Sequence, residues 1–263
     1  MNDTPEVPIL RDAEGREIVL RFEDVWKAFG RNVIYEGLDL DVRRGETLTI
    51  VGGSGTGKSV LLKCLLRLLL PDRGTITAFG EEVTGRSEAQ MLPIRRRIGM
   101  LFQGGALFDS LTVRENVAYP LREHGWRDED EIGDRVSEVL GMVNMPGIES
   151  KKPSELSGGM KKRVGLARAI AMRPEVILYD EPTTGLDPTN VRRIDELIAD
   201  LQSRLGVTSI VVTHDMGSAF RVSDRIALLW DRTIAWVGPK EDVDDCPDPR
   251  VKGFVDGTLK IPL

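Results

Sequence analysis

Short apolar runs alternate with helical patterns along most of this chain. Residues 47–51, 176–179 and 209–213 are rich in β-branched and other apolar residues, which is typical of buried strands in a parallel sheet. Helical patterns fill residues 59–70 and 189–205. Strands that alternate with helices in this way predict an α/β fold with a parallel sheet.

Antiparallel pairing is predicted at two other places. Residues 18–22 are predicted to form a first strand. Residues 38–42 alternate apolar and acidic positions, as expected for an edge strand with one solvent-exposed face. Residues 226–230 and 233–237 are also strand-like, and only two polar residues separate them. That spacing is a strong signal for a β-hairpin.

The middle and the two ends of the chain have their own patterns. Helical spacing dominates residues 111–152 and predicts a mostly helical insert. Residues 1–17 are polar and contain two prolines, which predicts a flexible leader. Residues 241–263 form a polar, proline-rich tail in which Val251 and Phe254 share helical spacing. A helix that short is unstable alone, so we expect it to dock on the core of its own chain, on the partner ATPase or on a small regulator.

Composition narrows the classes of function. The chain has 263 residues, of which 41% are hydrophobic and 30% charged, and its net charge is −6. That length supports one large domain or two small ones. An acidic chain is a poor partner for nucleic acid, because phosphate contacts need concentrated Lys and Arg. Cys64 and Cys246 match no metal-binding spacing, so we expect free thiols in a reducing compartment.

No stretch of the sequence predicts a membrane-spanning helix. The most apolar run, residues 60–70, is interrupted by Lys63 and Arg67 and is far shorter than the ~20 residues that a membrane helix needs. The N-terminus has no signal-peptide pattern. If the protein works at a membrane, we expect another chain to provide the membrane part.

A glycine-rich loop follows the predicted strand at residues 47–51. Residues 52–59 read Gly-Gly-Ser-Gly-Thr-Gly-Lys-Ser, and a strand before and a helix after are the context that a phosphate-binding loop requires. Backbone N–H groups and the helix N-terminus bind phosphate, Lys58 neutralises it, and the Ser59 hydroxyl holds Mg²⁺. The predicted ATP-binding residues of this loop are Gly52, Gly53, Ser54, Gly55, Thr56, Gly57, Lys58, Ser59 and Val60.

Three polar residues end apolar strands further along the chain. Asp180 and Glu181 follow four apolar residues, and the carboxyl ends of such strands are where α/β sheets bind ligands. Asp180 is a candidate Mg²⁺ ligand, and Glu181 is the candidate general base for attack of water on the γ-phosphate. His214 also ends an apolar strand, where a lone histidine is more often a structural residue.

Residues 156–160 read Leu-Ser-Gly-Gly-Met and lie between the phosphate loop and the paired acids. They resemble the signature of the ATP-binding cassette (ABC) family, and the resemblance covers about residues 18–240. It implies an α/β P-loop NTPase of the ABC type, with a RecA-like core at residues 18–107 and 158–240 and an antiparallel β-subdomain. It also implies a helical subdomain at residues 108–157, which ends at the signature, and a dimer of two copies that face each other across two ATP molecules.

The same resemblance implies roles for single residues around the γ-phosphate. His214 would contact the γ-phosphate, and Gln103 would touch both Mg²⁺ and the attacking water. The signature residues of one chain would cap the γ-phosphate held by the partner, and Asp187 of the D-loop would link the two sites. The signature residues are Ser157, Gly158 and Gly159.

The resemblance also concerns a candidate for adenine stacking and a departure from the family's signature. Phe29 matches the aromatic residue that stacks on adenine in many cassettes, although a core aromatic at a strand end is the alternative. Trp26 and Tyr35 are second choices for that role. Met160 stands where Gln is commonest in the family, and because it adds no charge we expect little loss of function.

Three segments resemble a narrower group, the ATPases that serve MCE-type lipid transporters such as the bacterial Mla system (maintenance of lipid asymmetry). They are residues 102–108, 115–124 and 247–257. The resemblance implies phospholipid cargo and a peripheral position on the cytoplasmic face of the inner membrane. It implies partners as well: permease subunits, an MCE substrate-binding protein and a STAS-domain regulator. Leu107 and Phe108 are apolar for a loop and predict a contact with the permease.

Two other functions stay open. An importer ATPase for amino acids or metals would have the same cassette, but such ATPases often carry a C-terminal regulatory domain, for which the residues after Lys240 leave little room. A cassette that acts on nucleic acid or ribosomes usually has two cassettes per chain or a coiled-coil insertion. Neither is present, and the acidic charge argues further against this function.

Overall fold

The computed structural model describes residues 9–258 of the chain. These residues form two compact units. The terminal unit contains the described residues up to Arg95 and from Ser223 onward, and the middle unit contains residues 96–222. The mixture of strands and helices confirms the predicted α/β fold class.

The terminal unit contains two sets of strands. One sheet is antiparallel, and in it β2 pairs with β1, β3 and β5, while β5 pairs with β6. In the second set β4 pairs in parallel with β10, which forms a hairpin with β11. The strands are β1 (Leu10–Arg11), β2 (Glu17–Phe29), β3 (Asn32–Arg43), β4 (Thr47–Val51), β5 (Arg73–Ala78), β6 (Glu81–Glu82), β10 (Arg225–Trp230) and β11 (Thr233–Pro239).

Three helices accompany these strands: α1 (Lys58–Leu65), α2 (Glu88–Arg96) and α8 (Pro249–Val255). Helix α1 is shorter than the predicted helix at residues 59–70, because Arg67 has a left-handed φ of 53° that ends the helical path. The hairpin and the buried strand at Thr47–Val51 lie where the sequence predicts them.

The ends of the chain differ in part from the predictions. Residues 1–8 of the predicted leader lie outside the described residues. From Leu10 onward the leader prediction is wrong, because Leu10 and Arg11 pair with Ile18 and Glu17 in the sheet. In the tail, a short helix forms as predicted, and Val251 is only 3% exposed. The tail helix therefore docks within the chain itself.

The middle unit contains a parallel three-stranded sheet in the order β7-β8-β9, with Leu101 beside Tyr179 and Tyr179 beside Val211. Its strands are β7 (Ile98–Leu101), β8 (Val176–Asp180) and β9 (Thr208–Thr213), and its helices are α3 (Val113–Glu123), α4 (Glu129–Met142), α5 (Gly158–Ile170), α6 (Pro188–Leu205) and α7 (Met216–Val222). The predicted helical insert corresponds to α3 and α4, which pack on α5 around a fully buried apolar core.

Local sequence explains where these helices begin. Thr112 caps α3 in a capping box with Glu115, and Asp128 caps α4 through two backbone N–H groups. Ser157 and Asp187 cap α5 and α6 in the same way, because Ser, Thr and Asp side chains accept the N–H groups that a helix start leaves unpaired. Two of the predicted functional residues are therefore also helix caps.

Candidate functional site

The phosphate loop connects β4 to α1 in the terminal unit. Gly57 has a φ of 104° and is the N-cap of α1. A Cβ atom at Gly57 would lie 2.4 Å from a methyl carbon of Ile34, and one at Gly52 would lie 2.7 Å from the carbonyl oxygen of Leu229. Only glycine fits at these two positions, so the backbone can follow the tight path that presents N–H groups to an anion.

Lys58 is the first residue of α1 and is buried. Its ammonium donates hydrogen bonds to the carbonyl oxygens of Gly52 and Gly53, each at 2.9 Å. The loop thus curls around the ammonium at the N-terminus of a helix. A cation and a helix N-terminus at one place are features that favour the binding of phosphate.

The three aromatic residues proposed for adenine differ in exposure. Tyr35 is fully buried, and its hydroxyl donates a 2.5 Å hydrogen bond to the carbonyl oxygen of Gly57. Burial raises the pKa of Tyr35 well above its ordinary value, so this donor stays neutral. The Trp26 ring is half-buried and its Nε1 donates to Asp24, whereas the side chain of Phe29 at the end of β2 is 47% exposed. Of the three, Phe29 has the most accessible ring, and Tyr35 supports the phosphate loop instead.

In the middle unit, Asp180 is the buried last residue of β8, and Glu181 follows it. Glu181 has a left-handed φ of 47°, which is uncommon outside glycine. Its backbone N–H donates to the carbonyl oxygen of Val212 at 3.0 Å. This bond to β9 helps hold the strained residue, and strain of this kind is often found at functional sites.

The side chains of Glu181 and His214 meet at the ends of β8 and β9. Oε2 of Glu181 accepts a 2.9 Å hydrogen bond from the Thr184 hydroxyl and lies 2.9 Å from Nδ1 of His214. The His214 side chain is 58% exposed and the Glu181 side chain 13%. The sequence predicts both residues at strand ends, and parallel pairing of β8 with β9 brings them together.

Gln103 lies in an exposed position just after β7. The loop that it opens is attached to α5, because the Arg168 guanidinium donates to the carbonyl oxygens of Gly105 and Ala106 at 2.9 and 2.7 Å. A Cβ atom at Gly105 would lie 2.9 Å from the carbonyl oxygen of Lys161, so the loop packs directly against the helix backbone. The loop that follows Gln103 is therefore attached to α5 at Gly105 and Ala106.

The predicted signature forms the start of α5. Ser157 accepts a hydrogen bond from the N–H of Met160 at 3.3 Å, and Ser157 and Gly158 are exposed. The helix start thus presents a hydroxyl and backbone N–H groups at the surface, where such groups can bind an anion. Gly159 is buried, and a Cβ atom there would lie 3.4 Å from the Asn190 side chain of α6.

Asp187 caps the neighbouring helix α6. Its carboxylate accepts hydrogen bonds from the Asn190 side chain at 2.6 Å and from the backbone N–H groups of Thr189 and Asn190. The bond from the Asn190 side chain is the main reason that the pKa of Asp187 lies below its ordinary value. Asn190 therefore connects the predicted D-loop to the predicted signature.

The predicted metal ligands are all oxygen donors. The Ser59 hydroxyl, the Asp180 carboxylate and the Gln103 amide oxygen suit Mg²⁺, which prefers hard oxygen ligands and usually completes its shell with water and phosphate. Within residues 9–258 no group of three or more His, Cys, Asp or Glu residues could hold a metal ion by itself.

Lys162 is a site residue that sequence reasoning misses. It lies in the run Lys-Lys-Arg at residues 161–163, which is typical of a solvated helix face. The structure instead buries its ammonium against the carbonyl oxygens of Glu181 and Thr184, at 3.3 and 2.7 Å. The charge pattern of α5 contains no signal for this contact.

Comparison with known proteins identifies the family. The ABC transporter family matches residues 35–184. The phospholipid transport ATP-binding protein MlaF of Escherichia coli K12 is 40% identical over 240 residues, covering 91% of this chain and 89% of MlaF. The probable ribonucleotide transport ATP-binding protein Mkl of Mycobacterium tuberculosis H37Rv is 42% identical over 231 residues, and the chain spans only 64% of its length.

Solved structures agree with this result. The ATP-binding cassette MJ0796, in a dimeric post-hydrolysis state with ADP and Pi, superposes with a TM-score of 0.77 at 32% identity, covering 84% of this chain and 98% of MJ0796. CbiO1 of Clostridium perfringens, part of the transporter complex CbiONQ, has a TM-score of 0.80 at 29% identity, with 90% and 95% coverage.

The chain therefore belongs to the ABC transporter family. It is an ABC-type ATPase subunit with the ATP-binding cassette fold, as the sequence predicts. Among the described residues, 9–258, no helix combines the length and the apolar character needed to cross a bilayer.

Proposed function

We propose that this ATPase drives the transport of phospholipids between membranes. The observation that carries the proposal is the 40% identity to MlaF, which extends over 91% of this chain and 89% of MlaF. A second lipid-related relative supports it: the chloroplastic protein trigalactosyldiacylglycerol 3 of Arabidopsis thaliana is 38% identical over 94% of this chain. The chain would supply the energy of ATP hydrolysis, while partner chains handle the lipid.

In this proposal the terminal unit binds the triphosphate. Lys58 and the N–H groups of the phosphate loop hold the β- and γ-phosphates, and Phe29 stacks on adenine. Ser59, Asp180 and Gln103 would hold Mg²⁺, which neutralises phosphate charge.

Glu181 accepts the proton of the attacking water, and His214 keeps the carboxylate in position and contacts the γ-phosphate. The 2.9 Å distance between Glu181 Oε2 and His214 Nδ1 supports this pairing of a base with an orienting group.

The protein works as a dimer in this proposal. Ser157 and Gly158 are exposed at the start of α5 and are available to an anion bound by another chain. They would cap the γ-phosphate held by the partner, together with Gly159, and Asp187 would link the two sites. MJ0796, which is similar over 84% of this chain, has been solved as a dimer.

The membrane contact is proposed at the loop after Gln103. Phe108 is 44% exposed, and its ring lies 4.8 Å from that of Tyr119, which is 41% exposed. Exposed apolar surface of this kind commonly marks a partner site. Leu107 is half-buried against the core of the middle unit, so it contributes less exposed apolar surface to the proposed membrane contact than Phe108 does.

We infer that a permease subunit docks at Phe108 and Tyr119 and holds the chain at the cytoplasmic face of the inner membrane. An MCE substrate-binding protein and a STAS-domain regulator complete the proposed complex.

A different cargo is the main alternative. Mkl, named as a probable ribonucleotide transport protein, is slightly more identical than MlaF at 42%. The chain spans 64% of Mkl but 89% of MlaF, so the match to MlaF includes more of the relative. This difference in coverage favours phospholipid.

The proposal is tested by isolating the complex from native membranes through an affinity tag on this chain. Mass spectrometry then identifies the partner chains and any small molecules that co-purify. We expect a permease, an MCE-type protein and bound phospholipid. A complex that contains a soluble solute-binding protein and no phospholipid would contradict the proposal and support the importer function.

A further inference from the structure

The ammonium of Lys162 connects the signature helix to the residue proposed as the catalytic base. Lys162 lies in the second turn of α5, whose N-cap is Ser157. Its Nζ donates to the carbonyl oxygen of Thr184 at 2.7 Å and to that of Glu181 at 3.3 Å. One side chain therefore bridges α5 and the turn that follows β8.

This turn positions the Glu181 carboxylate. The N–H of Thr184 donates to the carbonyl oxygen of Glu181 at 3.3 Å, which closes the turn. The Thr184 hydroxyl donates to Oε2 of Glu181 at 2.9 Å. Both ends of the turn that holds the carboxylate are thus also bonded to Lys162.

The location of Lys162 is costly and therefore needs an explanation. The residue is only 5% exposed, and burial lowers the pKa of its ammonium to about 8. A buried lysine carries a desolvation penalty that is offset only by strong hydrogen bonds. Its neighbour Lys161 is half-buried on the same helix and provides a natural comparison.

We propose that Lys162 is a positioning residue for ATP hydrolysis, which fixes the turn at Glu181–Thr184 and thereby ties the orientation of the base to the signature helix. The inference rests on the proposed role of Glu181 as the base. Lys162 itself does not touch ATP in this scheme. It holds the left-handed backbone of Glu181, so that the carboxylate points in one direction before the nucleotide binds.

The proposal predicts a specific kinetic change. Lys162→Met keeps the length of the side chain but removes every donor, so the turn loses its bonds to α5. Misplacement of a catalytic group by about 1 Å can reduce rates on the order of 10²-fold. We expect kcat for ATP to fall by that order while KM for ATP stays unchanged, because the phosphate loop is intact.

The experiment measures ATP hydrolysis by the full-length chain in its membrane complex. Lys161→Met is the matched control, since it removes a lysine from the adjacent position of α5, and it should hydrolyse ATP like the wild type. A double-mutant cycle with Glu181→Gln adds a readout that general destabilisation would not produce. If Lys162 acts through Glu181, adding Lys162→Met to Glu181→Gln should not lower the residual rate further.

The outcomes separate this inference from the proposed function. If Glu181→Gln lowers turnover as expected but Lys162→Met has the kcat of the Lys161→Met control, the positioning role is wrong. If Glu181→Gln itself hydrolyses ATP at the wild-type rate, the role of Glu181 is wrong instead. Should Lys162→Met fail to fold, Lys162→Leu decides, because its shorter side chain also removes every donor: full wild-type kcat there overturns the inference, and a reduced kcat at unchanged KM supports it.

Discussion

Nδ1 of His214 lies 2.9 Å from Oε2 of Glu181, and the same carboxylate oxygen accepts a hydrogen bond from the Thr184 hydroxyl. Two groups from different segments thus hold one oxygen of the side chain. A carboxylate oxygen that two neighbouring polar groups contact keeps its orientation. The geometry therefore matches that of a base held in place for reaction with water.

The first prediction separates nucleotide binding from hydrolysis. Glu181→Gln should leave ATP affinity intact and lower turnover on the order of 10²–10⁴-fold, because only the proton acceptor is lost. Lys58→Ala should instead weaken nucleotide binding, because the buried ammonium at the phosphate loop is removed. Equilibrium binding of a fluorescent ATP analogue and steady-state phosphate release measure the two effects. Wild-type turnover in the Glu181→Gln variant would show that Glu181 is not the base.

The second prediction concerns action between two chains. Ser157→Arg and Lys58→Ala should each abolish activity alone, because each breaks both sites of a homodimer. A mixture forms hybrid dimers in which one site is intact and the other is broken twice, so phosphate release should partly recover. Hybrid formation is verified with two different affinity tags. No recovery in proven hybrids would contradict independent action of the signature in trans.

The third prediction concerns the membrane partner. Phe108→Asp introduces a charge into the exposed aromatic surface next to Tyr119 and should release the chain from the membrane fraction while ATP binding persists. Leu92→Asp is the matched control, because Leu92 is 55% exposed in α2 of the terminal unit. Sedimentation of membranes and quantification of the chain in each fraction measure the effect. Equal membrane fractions for both variants would exclude Phe108 from the permease contact.

The fourth prediction follows from the buried ammonium of Lys162. Burial lowers its pKa from 10.5 to about 8 in the folded chain. Between these two values the unfolded chain binds more protons at this residue than the folded chain, so its contribution to stability rises with pH. The free energy of unfolding of the wild type, relative to Lys162→Met, should therefore increase from pH 8 to about pH 10.

The comparison with Lys162→Met isolates this effect. Burial raises the pKa of Cys64 to about 11 and raises that of Tyr35, and both shifts lower stability as pH rises. These contributions are common to the two proteins and cancel in the difference. Chemical unfolding at several pH values measures the difference in the free energy of unfolding between the wild type and Lys162→Met. A difference that does not change with pH would mean that Lys162 is not desolvated as the structure shows.

Elements with strong periodic patterns are predictable from the sequence. The strand Thr47–Val51 and the hairpin of β10 with β11 agree with the predictions, because turn residues and β-branched runs determine them locally. No comparable local pattern marks β5, which pairs with β2. A strand whose stability depends on its partner in the sheet gives little local signal.

The same distinction applies to the site. The phosphate loop and the paired acids are visible in the sequence because their chemistry depends on neighbouring residues. The choice between Phe29 and Tyr35 as the residue that stacks on adenine is not visible in the sequence. It depends on which face of the sheet each side chain occupies, and only the fold buries Tyr35. The contact of Lys162 with Thr184 joins residues 22 positions apart and has no local signature.

We expect ATP hydrolysis that depends on Glu181 to drive the movement of phospholipid. The most direct measurement follows a fluorescent phospholipid as the purified, reconstituted complex transfers it from donor to acceptor vesicles. The control is the same complex assembled with the Glu181→Gln variant. The wild-type complex should transfer phospholipid when ATP is supplied, and the Glu181→Gln complex should transfer none. Equal transfer by both complexes, or ATP hydrolysis by the wild type without movement of phospholipid, would contradict this expectation.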